Sequence, residues 1–160
     1  MVVMLEDRSR YSAENCSVKR TLDVVGEKWT LLILREAFYG ARRFEQFRQY
    51  VGCPRNVLSD RLETLTREGV LVKAPYQETG RRSREEYRLT DAGRDLLPAV
   101  MALMQWGDKW RADPEGPPID VRHRDCGARV AVSLECDAGH QHLTAHDTEP
   151  VPGAGARRVG

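Results

Sequence analysis

Apolar residues recur every three or four positions along the first part of the chain, which is the spacing of one helix face. The spacing predicts four successive helices, at 17–25, 29–39, 43–50 and 54–68, and each ends at or near a glycine. In the fourth helix, Leu58, Leu62 and Leu65 form one apolar stripe, and Pro54 stands at the start, where proline is favoured. Polar residues occupy the opposite stripe, so we expect this helix to pack on one side only.

The pattern then changes to the alternation typical of strands. Two β-prone runs, 70–77 and 84–90, flank the turn ETGRRS. Thr90 and Asp91 can cap a long final helix at 91–112, whose apolar residues cover more than one face. Helices followed by a two-stranded wing and a last helix have the order of a winged helix-turn-helix domain. The sequence therefore predicts a mainly α fold with a small β-wing, an α+β arrangement.

Proline and glycine mark where this domain ends. We predict a domain over 1–112, a linker over 113–118, an appendage of short β-strands over 119–148 and a disordered tail over 149–160. With 160 residues, three tryptophans and eleven aromatic residues in all, the chain can build one real core and a smaller appendage.

The net charge of +1 hides an asymmetry between the two parts. Residues 1–112 hold 20 Lys and Arg against 16 Asp and Glu, and residues 113–160 hold 5 against 8. No apolar run approaches the roughly 20 residues that cross a bilayer, and the first residues lack the apolar region of a secretory signal. Four cysteines are too few for a disulfide scaffold, so we expect a cytoplasmic protein, away from membranes, with reduced or reactive thiols.

Five short motifs occur in a fixed order. They are G-x-K-W at 26–29, R-R-F-x-x-F at 42–47, L-x-x-R-L-x-x-L at 58–65, Y-x-L-T-x-x-G at 87–93 and W-G at 106–107. The set resembles the HxlR family of bacterial transcriptional regulators over about residues 14–112. The resemblance implies a dimeric winged-helix repressor or activator whose first and last helices form the dimer. Gly52-Cys53-Pro54 departs from the Gly-Ile-Ser type of turn that is usual in the family before the fourth helix.

On this resemblance, the fourth helix is the recognition helix and double-stranded DNA with a pseudo-palindromic operator is the partner. Arginine can pair with guanine through two hydrogen bonds, and asparagine can pair with adenine. The candidate contacts are Arg55, Asn56 and Ser59 for base edges, Arg61 for base or phosphate, Arg42 and Arg43 for the backbone, and Arg81, Arg82 and Arg84 at the wing tip for phosphates or the minor groove. The alternative is that they are ordinary cap and surface residues and a solubilising loop.

The final helix has more apolar surface than one small domain can cover. Its candidate dimer-interface residues are Leu97, Val100, Met101, Met104 and Trp106. We therefore expect a homodimer even without DNA.

Cys16 stands just before the first helix, where some members of the resembled family carry a redox-sensing thiol. A helix start with Lys19 and Arg20 one turn on would favour the reactive thiolate form. Cys53 of the other subunit is a candidate partner for an intersubunit bridge. Equally, Cys16 could pack as a small apolar residue at the dimer interface.

The appendage carries two pairs of potential metal ligands. His123 with Cys126 and Cys136 with His140 could hold a tetrahedral zinc and stabilise a segment too short for its own core. A more usual second pair would be C-x2-C, but Gly139 occupies that position, so His140, His142 or His146 would have to substitute. The alternative is a small β-hairpin with two unreactive cysteines, and no other cofactor is expected.

Three function classes compete. The chain has none of the sequence patterns of zinc deaminases, H-E-x-x-H metalloproteases, G-x-S-x-G hydrolases or phosphate-binding loops, which argues against an enzyme. A winged helix that binds only proteins has no need of arginines at both helix tip and wing. The sequence therefore predicts a sequence-specific transcriptional regulator, with repression as the expected output, that responds either to thiol oxidation or to a ligand.

Overall fold

The structure, a computed structural model, describes residues 8–159. Residues 1–7 of the predicted first domain and Gly160 of the predicted tail lie outside the described residues. The chain forms two compact units, of which one is Thr21–Arg111 and the other comprises the segments up to Arg20 and from Ala112. The segment before Thr21 thus groups with the C-terminal part of the chain, which differs from the predicted domain of 1–112.

The elements follow the predicted order. The helices are α1 (Ser17–Val25), α2 (Lys28–Phe38), α3 (Phe44–Val51), α4 (Arg55–Arg67), α5 (Asp91–Arg94) and α6 (Leu97–Trp110), and the strands are β1 (Leu71–Tyr76), β2 (Arg84–Leu89), β3 (Leu134–Glu135) and β4 (Gln141–Leu143). The predicted α+β winged helix is confirmed. Within the described part of the chain, no helix is both long and apolar enough to span a bilayer.

Helix α4 is held by its leucine stripe. Leu58, Leu62 and Leu65 are fully buried, and the helix packs against α2, α3 and β1. Each of these side chains stabilises the fold by about 2 kcal/mol through burial. The opposite face of α4 is therefore left in solvent.

The turn between α3 and α4 depends on a glycine. Gly52 caps α3 with a φ of 71°, a left-handed conformation that costs glycine nothing. Cys53 then turns into the core, where it is 6% exposed, and Pro54 provides the N-cap of α4. At the other end of α3, the Gln46 side chain accepts hydrogen bonds from the backbone amides of Arg42 and Arg43 at 3.0 and 2.9 Å.

Strands β1 and β2 form an antiparallel wing. Leu71 pairs with Leu89 at its base, and Tyr76 pairs with Arg84 near its tip. The amide of Tyr87 donates to the carbonyl of Arg42 at 2.7 Å, which attaches the segment before α3 to the wing.

The base of the wing is closely packed. The Thr90 hydroxyl donates to the Gly69 carbonyl at 2.6 Å and accepts from the Gly93 amide at 3.1 Å. A Cβ placed on Gly93 would lie 2.2 Å from the Val70 carbonyl oxygen. Only glycine fits at that position in α5.

The final helix is interrupted, whereas the sequence predicted one continuous helix over 91–112. Helix α5 ends at Arg94 and α6 begins at Leu97, with Pro98 in its first turn. The cause is Pro98, which has no amide hydrogen and whose ring would clash with the carbonyl four residues earlier. That carbonyl belongs to Arg94, the last residue of α5.

The second unit contains two small hairpins and a paired tail. In the first hairpin the His123 amide donates to the Ala128 carbonyl at 2.8 Å, and the second hairpin is formed by β3 and β4. In the tail, which was predicted to be disordered, Arg158 forms a β-bridge with Tyr11. The Gly155 carbonyl also accepts from the Asn15 side chain at 2.7 Å, a contact that spans 140 residues of sequence.

Candidate nucleic-acid interface

Three predicted base contacts lie on the exposed face of α4 at its start. Arg55, Asn56 and Ser59 are exposed, because the leucine stripe turns the opposite side of the helix into the core. The backbone amides of this first turn also point outward from the helix end, which favours a nearby phosphate. This end of α4 has the polarity and exposure that a DNA-reading helix needs.

Arg55 is oriented by two residues of α3. Its Nη1 lies 3.2 Å from Oε1 of Glu45, and its Cζ lies 4.8 Å from the centre of the Phe44 ring. Glu45 also accepts from Arg48, with 2.7 Å between Nε and Oε2. The guanidinium therefore has a defined position in the absence of DNA.

Arg61 lies differently from the other predicted DNA contacts. It is 29% exposed, and its Nε is 3.6 Å from Oε2 of Glu27, which precedes α2. Its guanidinium is thus directed at the start of α2, two turns away from Arg55 along α4.

Arg42 and Arg43 are exposed and lie beside the wing. Arg43 Nη1 is 2.6 Å from Oε1 of Glu78, and its Cζ lies 4.4 Å from the centre of the Tyr76 ring. Helix α3 and its N-cap Arg43 therefore connect the two predicted contact regions, since α3 contacts Arg55 of α4 and Arg43 contacts the wing.

The wing tip presents the remaining predicted cations. Gly80 takes a φ of 76°, and Arg81, Arg82 and Arg84 follow it in exposed positions. Arg81 Nη1 is 3.4 Å from Oε2 of Glu78, so this carboxylate accepts from two arginines. Within residues 8–159, Arg82 forms no ion pair.

The carboxylates Glu27, Glu45 and Glu78 are the partners that sequence reasoning missed. Exposed glutamates are common on any surface and carry no periodic signal, so only the three-dimensional contacts identify them. In solvent such exposed ion pairs stabilise little, and phosphate oxygens can exchange with the carboxylates. Together the arginines form a basic surface, in which Arg43, Arg55, Arg61 and Arg81 are paired with glutamates.

Comparison with known proteins decides the family. The model of the HxlR-like helix-turn-helix family matches residues 24–115. The chain belongs to the HxlR-like helix-turn-helix family. It is 49% identical over 142 residues to Rv3095 of Mycobacterium tuberculosis, named an HTH-type transcriptional regulator, and the match covers 89% of each chain.

Two solved structures of regulators are similar to this chain. PA1607, named a candidate transcription factor, has a TM-score of 0.76 at 38% identity, and the match covers 86% of this chain and 94% of that one. The redox regulator HypR in its oxidised form has a TM-score of 0.55 at 31% identity over 61% of this chain and all of that one. The protein is therefore a helix-turn-helix transcriptional regulator, and its partner is DNA.

In this HxlR protein, α6 exposes a different set of apolar residues from the predicted one. Met101 is 4% exposed and belongs to the core. Val100 packs against the core cluster, because α6 lies on α2. Met104 is half-buried and its sulfur lies 3.7 Å from the hydroxyl of Tyr39, where burial raises the pKa of that phenol. The large apolar residues of α6 that are exposed are Leu97, Leu103, Trp106 and Trp110.

The two candidate redox cysteines differ in accessibility. Cys16 is half-buried at the start of α1, and its carbonyl accepts from the Arg20 amide at 3.0 Å. Cys53 is a member of the core cluster. An intersubunit bridge from Cys16 to Cys53 would require the core to open, so the structure does not favour that pairing.

The predicted metal ligands come together as two separate pairs. His123 Nδ1 lies 3.3 Å from Cys126 Sγ, and Cys136 Sγ lies 3.2 Å from His140 Nδ1. Within residues 8–159, no three His, Cys, Asp or Glu side chains gather as a metal site would require. Each pair lies within its own hairpin, and the four-ligand zinc site stays a prediction.

Proposed function

We propose that this HxlR-family regulator binds a pseudo-palindromic operator as a homodimer and recognises its sequence through the start of α4. The observation that carries the proposal is the connection of Arg55, Arg43 and the wing through α3. Contacts of 3.2 Å to Glu45 and 2.6 Å to Glu78 join them into one surface. A surface that holds cations at both the helix tip and the wing matches a major groove and its flanking phosphates.

The residues have distinct roles in this proposal. Arg55, Asn56 and Ser59 contact base edges, since they are the exposed residues at the leading end of α4. Arg42, Arg43, Arg81, Arg82 and Arg84 contact phosphates on either side of the groove. Arg61 contacts the DNA backbone and no base edge, because its guanidinium faces Glu27.

The homodimer forms through α6 in this proposal. Leu103, Trp106 and Trp110 are 58%, 55% and 57% exposed, and a second copy would bury them. Two recognition helices related by a twofold axis meet half-sites about 34 Å apart on one face of DNA. Such a dimer blocks polymerase by occupying the promoter, so repression is the output that requires no further partner.

Thiol oxidation at Cys16 is the proposed signal. Two observations support it: Cys16 is partly accessible at the start of α1, and the chain is similar to HypR, a redox regulator. A new group on the sulfur would alter α1 and with it the spacing of the two recognition helices. The competing proposal is a regulator that responds to a small ligand without thiol chemistry.

Selection from a random-sequence duplex library tests the function. The wild-type protein should enrich one pseudo-palindromic sequence, and a labelled duplex of that sequence should shift in a gel at nanomolar protein. The affinity for an unrelated duplex should be lower by a factor of about a thousand or more at physiological salt. Failure to enrich any sequence, together with capture of a protein through the same basic surface, would favour the interaction-module alternative.

A further inference from the structure

We infer that Glu45 is a positioning residue that sets the sequence preference of Arg55, although Glu45 itself does not contact a base. The inference rests on the proposed function of α4 as the recognition helix. Glu45 is a carboxylate in a surface that must bind a polyanion, so its role is in sequence specificity and not in affinity.

Two neighbouring residues of α3 constrain the Arg55 guanidinium in different ways. The Phe44 ring lies 4.8 Å from Cζ and limits how the guanidinium plane can tilt. Glu45 Oε1 lies 3.2 Å from Nη1 and limits how the group can rotate within that plane. A single contact would leave one of these motions open.

Glu45 is itself held in place. Its second oxygen, Oε2, lies 2.7 Å from Nε of Arg48, one turn further along α3. Both carboxylate oxygens are thus engaged, one within α3 and one across to α4. The orientation of Arg55 therefore depends on α3, which packs on the core through Phe47.

The contact with Glu45 uses one nitrogen of Arg55. Within residues 8–159, Nε and Nη2 of Arg55 donate no hydrogen bond. These are two neighbouring donors of the kind that pair with O6 and N7 of guanine. An arginine already held in one orientation loses less side-chain freedom when it binds, so its preferred base gains more than other bases do.

The same carboxylate opposes the phosphates of every DNA sequence. Glu45 therefore lowers general affinity while it raises preference. These opposite effects distinguish a positioning carboxylate from a residue that merely supports the fold, whose loss would weaken binding to all sequences.

The test uses full-length protein and the duplex that wild type selects from a random library. Dissociation constants are measured for that duplex, for a copy in which the guanine that R55A no longer prefers is replaced, and for an unrelated duplex. The variants are E45A, R55A, the double variant E45A/R55A and the control E68A. Glu68 also pairs with an arginine, Arg67, but lies roughly 20 Å from Arg55 along α4.

E45A should bind the unrelated duplex about twofold to threefold more tightly at low salt, because one negative charge near the phosphates is gone. Its preference for the guanine should fall about threefold to tenfold. In the R55A background, E45A should change the preference no further. E68A should keep the wild-type preference, and the melting temperatures of all four variants should confirm that they are folded.

An unchanged guanine preference in E45A would overturn the inference. So would a loss of preference on adding E45A to R55A that equals the loss on adding E45A to the wild type. These outcomes leave the proposed function intact as long as R55A alone removes the preference. If wild type selects no sequence, the proposed function fails first.

Discussion

Arg43 and Glu78 join the start of α3 to the wing through an ion pair with 2.6 Å between Nη1 and Oε1. Arg81 approaches the other oxygen of the same carboxylate at 3.4 Å. One glutamate thus accepts from two of the arginines that we assign to phosphates. A phosphate that binds either arginine must compete with Glu78.

Glu78→Ala should therefore strengthen binding to DNA of any sequence. Arg43 and Arg81 would be released to neutralise phosphates, so the slope of log affinity against log salt should become steeper by about one contact. Gel shifts of an unrelated duplex across a salt series measure this slope. Glu68→Ala removes the same charge at the far end of α4 and should change little; a Glu78 variant with the wild-type slope would contradict the competition.

Arg55→Ala should reduce sequence preference by about 1–3 kcal/mol at one base position. Asn56→Ala should do the same at a neighbouring position, since both residues are exposed at the start of α4. A repeat of the library selection with each variant identifies the affected positions. Arg67→Ala, at the opposite end of α4, serves as the control. If Arg55→Ala selects the wild-type sequence with wild-type affinity, α4 does not read DNA in the way proposed.

Arg82→Ala should weaken binding to every sequence alike. It is exposed at the wing tip and forms no ion pair with a described residue, so its charge is available to a phosphate. The salt slope should become shallower by about one contact, with the base preference unchanged. A change in the selected sequence would instead place Arg82 against base edges.

Mild oxidant should weaken operator binding, and a reductant should restore it. The expected cause is a modified Cys16 that changes the distance between the two recognition helices. A change of a few ångströms is enough to lose the contacts at one half-site. Cys16→Ser should bind equally well in both conditions. Because Cys126 and Cys136 are also exposed thiols, the double variant Cys126→Ser/Cys136→Ser is the matched control and should keep the response. Equal affinity of oxidised and reduced wild type would leave Cys16 as a packing residue.

Leu103→Glu should convert the dimer to a monomer at micromolar concentration. Leu103 is exposed on α6, so the change leaves the core intact but places a charge in the proposed seam. Sedimentation measures the mass. Val72→Glu alters an exposed apolar residue of β1 and should leave the dimer unchanged. Monomeric wild type in the same experiment would refute the α6 seam.

Local pattern was enough for most of the fold. Leucine spacing and terminal glycines predicted the helices to within a residue or two at α2, α3 and α4, and alternation predicted the wing. The break before α6 was missed because the apolar pattern runs through Pro98 without a gap, although proline itself was the available signal.

Contacts distant in sequence could not be predicted in this way. Nothing local shows that Arg158 pairs with Tyr11, or that Glu45 and Glu78 hold arginines of other elements. Helix α6 is apolar on several sides, so only its packing on α2 shows that Met101 is buried and Leu103 is exposed. The exposed positions of the arginines at helix and hairpin tips were predictable from residue type and turn signals, and their contacts with DNA stay a prediction.

The tight base of the wing bears on how genetic screens of this regulator are interpreted. A substitution at Gly93 would push its Cβ into the Val70 carbonyl, so alleles there will be recovered as loss of function beside those at Arg55. They will differ in abundance, since a misfolded protein is degraded and an arginine variant accumulates normally. Immunoblots of each allele therefore sort the screen into fold defects and recognition defects, and a position intolerant of change is not on that ground a DNA contact.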